Sequence, residues 1–228
     1  MNRLRKRCSL NRFKDCEVSM CEQRSDEWFD LRRGNLTASN FAPWLLTKKT
    51  VTARKARESA ICKLIAQAAG AWEKENFATA EMQRGTDLEP EAVAAFEKAT
   101  GLGVTDVGFC QSIHGSFGCS PDGLIDGRMA GLEGKCPIPG THIKYRRAAE
   151  LPNEYIYQVH GSMAVTGATS WWFQSYNPGL APYRMLVERD AFTEELHACL
   201  REFSGEFEEA LLEESSAWQR EFGKEVAS

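Results

Sequence analysis

Several features are missing from this sequence, and each absence excludes a class of protein. No apolar run approaches the roughly 20 residues that span a bilayer, and the basic N-terminus lacks the apolar stretch of a secretory signal. The eight cysteines form no C-x-x-C pair, and the four histidines show no H-E-x-x-H spacing, so the usual zinc motifs are excluded. Repeats and low-complexity tracts are also absent. We therefore expect a cytoplasmic protein with reduced thiols and no membrane segment.

The composition is that of an ordinary globular protein. Its 228 residues are 43% hydrophobic and 26% charged, enough for one sizeable core. We predict a basic N-terminal arm over residues 1–24 and a single domain over residues 25–228. The role of the arm stays open between a mobile tail, a phosphate-contacting tail and a solvated segment.

Charge is unevenly distributed although the net charge is only -4. Residues 48–57, KKTVTARKAR, carry five bases and no acid, whereas residues 194–214 carry eight acids and one base. This asymmetry suits a protein with a basic inner surface and an acidic outer surface. Two solvated faces are the alternative interpretation.

The order of hydrophobic patterns predicts the fold class. Helical spacing marks residues 51–69, and a second helix over residues 78–99 should bend or restart at Pro90. Short glycine-rich strands follow between residues 104 and 136, then a helix near residues 153–165 and two more strands. A final helix carries one apolar face, with Phe192, Leu196, Leu200, Phe203, Phe207 and Leu211. We predict an α/β fold in which helices flank a central mixed β-sheet.

Two carboxylates and a lysine share the segment SPDGLIDGRMAGLEGKC. If the chain reverses near Gly127, Asp122 lies opposite Glu133 with Cβ atoms ~5 Å apart. The two-residue period of a strand places Lys135 on the same face as Glu133. Opposed like charges need a cation, and oxygen ligands favour Mg²⁺, which can activate water beside a phosphodiester. An exposed hairpin with a chance Glu133–Lys135 ion pair is the alternative.

Other polar residues are candidates for the same site. Glu89 precedes Pro90 and could supply a third carboxylate, or merely stabilise the start of a helix. Gln158 lies on an apolar helix, where it could position a water or phosphate, or be bonded to backbone. Arg32 and Ser39 suit a phosphate, but a surface arginine and a helix cap are equally compatible with the sequence.

Five motifs, in register, resemble one nuclease family. They are LRRGNLTAS, RGTDLEPEAVAAFEKATG, SPDGLIDG, LEGKCP and YQVHGSMAVTG, and the similarity runs from about residue 28 to residue 190. They are similar to the phage lambda exonuclease group, the viral-recombinase nucleases of the PD-(D/E)xK superfamily. The resemblance implies a restriction-endonuclease-like core.

The resemblance also implies an activity. The chain is expected to be a phosphodiester hydrolase, a 5′-to-3′ exonuclease on linear double-stranded DNA. It is expected to release mononucleotides and leave a 3′ single strand for recombination by strand annealing. Two Mg²⁺ ions are implied as cofactors, with Mn²⁺ able to replace them. The implied partners are DNA ends, two further copies in a ring-shaped homotrimer and a single-strand annealing protein, in a bacterial host with a phage or prophage gene.

The family motifs assign residues by position. Asp122, Glu133 and the Gly134 carbonyl match the core metal ligands, and Glu89 matches the acid at the second metal position. Lys135 matches the catalytic lysine. The remaining matches are Gln158 for the glutamine of the following helix, and Arg32, Ser39 and Ser120 for the 5′-terminal phosphate.

Two departures and several rival functions remain. Pro90 directly follows Glu89, and the further base that grips the phosphate has no clear counterpart; Lys48 and Lys49 are candidates. An iron–sulfur cluster is not expected, because only Cys136 and Cys199 follow the Glu-x-Lys motif.

The rival functions are a site-specific or structure-specific endonuclease on the same fold, a non-enzymatic DNA-end binder and a purely structural protein.

Overall fold

The computed structural model describes Leu10, residues 12–71 and residues 80–222. Within these ranges, the α-helices are α1 (Asp26–Arg32), α2 (Val51–Ala68), α3 (Ala80–Thr100), α4 (Pro139–Ala148), α5 (Ile156–Thr166) and α6 (Ala191–Phe222). None of these helices is both long and apolar enough to cross a membrane.

The strands divide between two mixed sheets flanked by the helices. They are β1 (Cys16–Ser19), β2 (Leu36–Thr37), β3 (Val104–Thr105), β4 (Phe109–Ser112), β5 (Phe117–Cys119), β6 (Gly123–Ile125), β7 (Ala130–Lys135), β8 (Ser170–Ser175) and β9 (Tyr183–Glu188). One sheet has the order β3-β6-β7-β8-β9 and the other β1-β4-β5-β2. The predicted α/β class with a mixed sheet is confirmed, but the division into two sheets was not predicted. It arises because the glycine-rich segment supplies strands to both sheets.

The β6–β7 hairpin has the predicted register. Gly123 lies opposite Leu132, so Asp122 and Glu133 oppose each other one position further along. The chain reverses at Gly127, whose φ of +72° favours glycine. The open end of this hairpin, opposite the turn, carries the polar residues of the predicted site.

The core lies between α5, α6 and the sheets. Helix α5 buries Val159 and Met163 completely. The predicted apolar face of α6 is confirmed, because Leu196, Leu200 and Phe203 are also fully buried. Apolar burial of this kind stabilises the scaffold by about 25 cal/mol per Å².

The basic and acidic runs contact each other, so the prediction that they form separate surfaces is wrong for two of the bases. Arg57 is buried and donates to Glu206 with Nε and Nη2, at 2.5 and 3.0 Å. Lys48 forms an ion pair with Glu202. Helix α2 therefore binds α6 through Arg57, and Lys48, which precedes α2, adds an exposed ion pair to the same helix.

Helix α3 continues through Pro90 rather than restarting there. Proline has no N–H to donate, so one helical bond is missing at Pro90. Further along the helix, side chains from the sheet bind two carbonyls. Gln174 Nε2 donates to the Ala92 carbonyl at 2.7 Å, and Arg184 Nη2 donates to the Ala95 carbonyl at 2.9 Å. These bonds fix the helix that carries Glu89 against β8 and β9. Residues 78 and 79 of the predicted helix lie outside the described residues.

Part of the predicted arm packs with the domain. Strand β1 pairs with β4, and Phe13 is buried. Residues 1–9 and 11 lie outside the described residues, so the arm and the boundary at residue 25 stay predictions.

Candidate active site

Asp122 lies immediately before β6, where the hairpin directs its carboxylate toward the partner strand. Its N–H donates to the Leu132 carbonyl at 3.1 Å. Its Oδ2 accepts from the Gly134 N–H at 2.6 Å. A Cβ at position 134 would lie 3.4 Å from this oxygen, at ordinary van der Waals distance. The hairpin thus brings Asp122 and Gly134 together, as predicted.

Glu133 is almost completely buried, with 2% of its side chain exposed. Its Oε1 accepts from Lys135 Nζ at 2.5 Å and from Gln158 Nε2 at 2.7 Å. The one carboxylate oxygen therefore joins strand β7 to helix α5. Gln158 therefore contacts Glu133 directly, whereas the sequence left its partner open between a water, a phosphate and the backbone.

Lys135 lies on the same face of β7 as Glu133, as the period of the strand predicts. Its ammonium lies 5.2 Å from the centroid of the Tyr155 ring. Desolvation lowers the pKa of Lys135, but the charges of Glu133 and Asp122 outweigh it and raise the pKa above its ordinary value. The side chain is therefore a cation at neutral pH.

Glu89 faces the hairpin from α3, with 33% of its side chain exposed. Desolvation and the charge of Asp122 raise the pKa of Glu89 to about 7. Desolvation likewise raises the pKa of Glu133 to about 7, with Asp122 contributing and Lys135 opposing. The pKa of Asp122 is raised too, chiefly by desolvation. Three partly or fully buried acids thus repel one another at one place.

These residues fit a hydrated magnesium ion better than a closed protein cage. Among the described residues, no three His, Cys, Asp or Glu side chains stand close enough to enclose an ion. Mg²⁺ retains several waters and needs only one or two carboxylates. The carboxylates of Asp122 and Glu133 match that requirement, and a cation there would relieve the repulsion among the acids.

A cleft of about 610 Å³ opens beside the carboxylates. Glu89, Asp122, Gly134 and Lys135 line it, whereas Glu133 lies behind them. Apolar contact area in the cleft comes from neighbours that the sequence analysis did not select, which include Tyr145, Tyr155, Pro137 and Ile138. The sequence feature that could have identified Tyr155 was the apolar pattern around Gln158, which lies three residues later.

Arg32, Ser39 and Ser120 converge at a second place. Arg32 Nη1 donates to Ser120 Oγ at 2.9 Å and Nη2 to Thr37 Oγ1 at 3.3 Å. Thr37 Oγ1 lies 3.3 Å from Ser39 Oγ. Burial lowers the pKa of Arg32 to about 10, so it remains charged. This cluster of one cation and hydroxyl groups suits an anionic oxygen ligand.

Trp28 completes this cluster, and the sequence analysis missed it. Its Nε1 donates to Ser120 Oγ at 2.9 Å, and the Arg32 guanidinium lies 4.1 Å from the centroid of its ring. The signal was the spacing of four residues between Trp28 and Arg32, which places both side chains on one face of α1.

The chain is similar to one protein family and to several solved structures. Residues 27–169 match the YqaJ-like viral recombinase domain. An alkaline exonuclease (LHK-Exo) from Laribacter hongkongensis is 33% identical, with a TM-score of 0.71, covering 85% of this chain and 98% of that chain. The same exonuclease in complex with dAMP gives the same identity and TM-score, with 86% and 97% covered.

A more distant structure shares the fold alone. A phage related exonuclease from Haemophilus somnus 129PT is 13% identical, with a TM-score of 0.57, covering 79% of this chain and 96% of that chain. A search of curated protein sequences gave no match.

Proposed function

Because the chain belongs to the YqaJ-like viral recombinase family, we propose that it is a DNA exonuclease that degrades linear duplexes from the 5′ end. The observation that supports the proposal most directly is that one short segment, residues 120–122, belongs to both sites. Ser120 bonds Arg32, and Asp122, two residues later, lies in the cleft with Glu89 and Lys135. The likeness to an alkaline exonuclease supports nuclease activity. The polarity rests on the resemblance to the lambda exonuclease group, in which the positions that match Arg32, Ser39 and Ser120 hold the 5′-terminal phosphate.

Asp122, Glu133 and the Gly134 carbonyl would hold one magnesium ion, with Glu89 serving a second. When bound, Mg²⁺ polarises a phosphate oxygen and lowers the pKa of a water. The protein residues supply the rest. Gln158 fixes the orientation of Glu133 through the 2.7 Å bond. Lys135 remains protonated, so it acts as a donor and a positive charge rather than as a general base.

The Arg32 cluster is proposed to bind the terminal 5′-phosphate. A phosphate bound there fixes the distance from the DNA end to the bond beside Asp122. Hydrolysis then releases one nucleotide and creates a new 5′-phosphate, which occupies the same cluster after the strand advances. Stepwise release of mononucleotides and a 3′ single strand follow from this arrangement.

The test compares a linear duplex with a closed circular duplex in Mg²⁺, with linear strands that carry either a 5′-phosphate or a 5′-hydroxyl. We expect the phosphorylated linear strand to be digested to mononucleotides while the circle stays intact. Cleavage of the circle would instead favour an endonuclease on this fold. Protection of linear ends in Mg²⁺ would favour a non-enzymatic end binder.

The assembly and cellular setting are also proposals. By resemblance to the lambda exonuclease group, we propose a ring-shaped homotrimer, a single-strand annealing protein as partner, and action in the bacterial cytoplasm during phage recombination. Sedimentation equilibrium of the purified chain tests the trimer, and a monomer at micromolar concentration would contradict it.

A further inference from the structure

Arg24 occupies a turn position that favours glycine. The Ser25 N–H donates to the Glu22 carbonyl at 3.2 Å, and Arg24 is the third residue of this turn, with a φ of +70°. Non-glycine residues adopt such a conformation at an energetic cost. Strained backbone concentrates at functional sites, so the surroundings of the Arg24 side chain are of interest.

The neighbours of Arg24 hold the turn rigidly against the active-site segment. Gln23 Nε2 donates to the Pro121 carbonyl at 2.9 Å and to the Val107 carbonyl at 3.1 Å. Ser25 caps α1 by accepting from the Trp28 N–H at 3.2 Å. Pro121 joins Ser120 of the anion cluster to Asp122 of the cleft, so the turn is anchored between the two sites.

The side chain of Arg24 enters the cleft without forming a close ion pair there. Its Nη2 lies 3.9 Å from Glu89 Oε2, and 55% of the side chain is exposed. Among the described residues, the other two cations that line the cleft form shorter polar contacts than Arg24 does. Arg84 Nη1 donates to the Cys136 carbonyl at 3.0 Å, and Lys135 bonds Glu133 at 2.5 Å. Arg24 is thus the cation of this cleft best placed to take a ligand from solvent.

We propose that Arg24 binds the phosphate that lies at the carboxylates, the first one after the 5′-terminal phosphate, and so positions the strand for cleavage. This inference rests on the proposed function, because it assumes that a DNA strand spans the two sites. A guanidinium can donate two parallel hydrogen bonds to a phosphate.

The test is Arg24→Gly, which removes the guanidinium and relieves the backbone. We expect its thermal midpoint to equal or exceed that of the wild type, because glycine adopts a positive φ readily. Binding of a 5′-phosphorylated duplex in Ca²⁺, measured by fluorescence anisotropy, should weaken by about 5- to 20-fold. The slope of log K against log salt should fall by about 0.9, the value for one phosphate.

Two further variants separate this role from a general charge effect. Arg128→Gly removes an exposed arginine beside the hairpin reversal, at the far end of the strands from Asp122, and should leave affinity and slope nearly unchanged. Arg24→Lys should recover part of the affinity while remaining less stable than Arg24→Gly. Wild-type affinity and slope for Arg24→Gly, or an equal loss for Arg128→Gly, would overturn the role of Arg24 while leaving the proposed function intact. Failure of the wild type to bind duplex ends would overturn the proposed function and this inference with it.

Discussion

Replacement of Lys135 by alanine should abolish turnover with little loss of stability. Loss of one partner usually destabilises a buried ion pair by about 3–5 kcal/mol, because a charge is left without compensation. Here Glu133 can take up a proton instead, since burial already raises its pKa to about 7. Protonation limits the cost of losing the lysine.

The largest stability cost of losing Lys135 can be calculated from the pKa of Glu133. With an unfolded value of 4.5 and a folded value of about 7, Glu133 costs the metal-free native state about 3 kcal/mol at pH 7.5. A permanently neutral Glu133 costs about 4 kcal/mol at that pH, so loss of Lys135 adds at most about 1 kcal/mol through Glu133. Because a raised carboxyl pKa destabilises the folded state as pH rises, this added cost vanishes near pH 6 and reaches about 2 kcal/mol at pH 8.5.

The assay pairs thermal denaturation in a chelator with digestion of a linear duplex in Mg²⁺. At pH 7.5 the midpoint of Lys135→Ala should fall by only ~2–4 °C. Turnover should fall by about 100-fold or more, the usual effect of removing one preorganised donor. Lys98→Ala, an exposed lysine on α3 outside the cleft, is the matched control. Digestion within tenfold of the wild type, or a midpoint loss above about 10 °C, would refute the reasoning.

Two other predictions concern the anion cluster and the metal site. Arg32→Ala should slow digestion of 5′-phosphorylated ends by about 10- to 100-fold but hardly affect 5′-hydroxyl ends; an equal loss on both would remove Arg32 from the phosphate site. Since protons compete with metal at Glu89 and Glu133, whose pKa values are about 7, Mg²⁺ should raise the thermal midpoint more at pH 8 than at pH 6. Equal shifts at both values, measured against a chelator control, would contradict this competition.

The sequence predicted the site well where local geometry determines it. The hairpin register follows from the turn at Gly127 and the two-residue period of a strand, so the positions of Asp122, Glu133 and Lys135 were predictable. The face of α6 followed in the same way from helical spacing. The roles of these residues stay predictions, because catalysis depends on ligands as well as on placement.

Local sequence patterns could not predict which side chains from distant parts of the chain bind each other. The basic run at residues 48–57 has the composition of a DNA-contacting surface, yet Arg57 is bonded to Glu206, 149 positions away. Nothing in either run specifies its partner. The position of Arg24 is similar, because its left-handed backbone and its approach to Glu89 depend on a turn anchored to a distant strand segment.

The carboxylates couple stability to function. Burial raises the pKa values of Glu89, Asp122 and Glu133 together, so the metal-free protein becomes less stable as these groups ionise. A well-packed apolar set would avoid that cost, but it could not hold a divalent ion beside a phosphate. Lys135 reduces the repulsion without removing it, since a single cation faces several acids. In the proposed function, the remaining negative charge attracts the metal ion, and Arg24 offsets the same charge where a phosphate must approach.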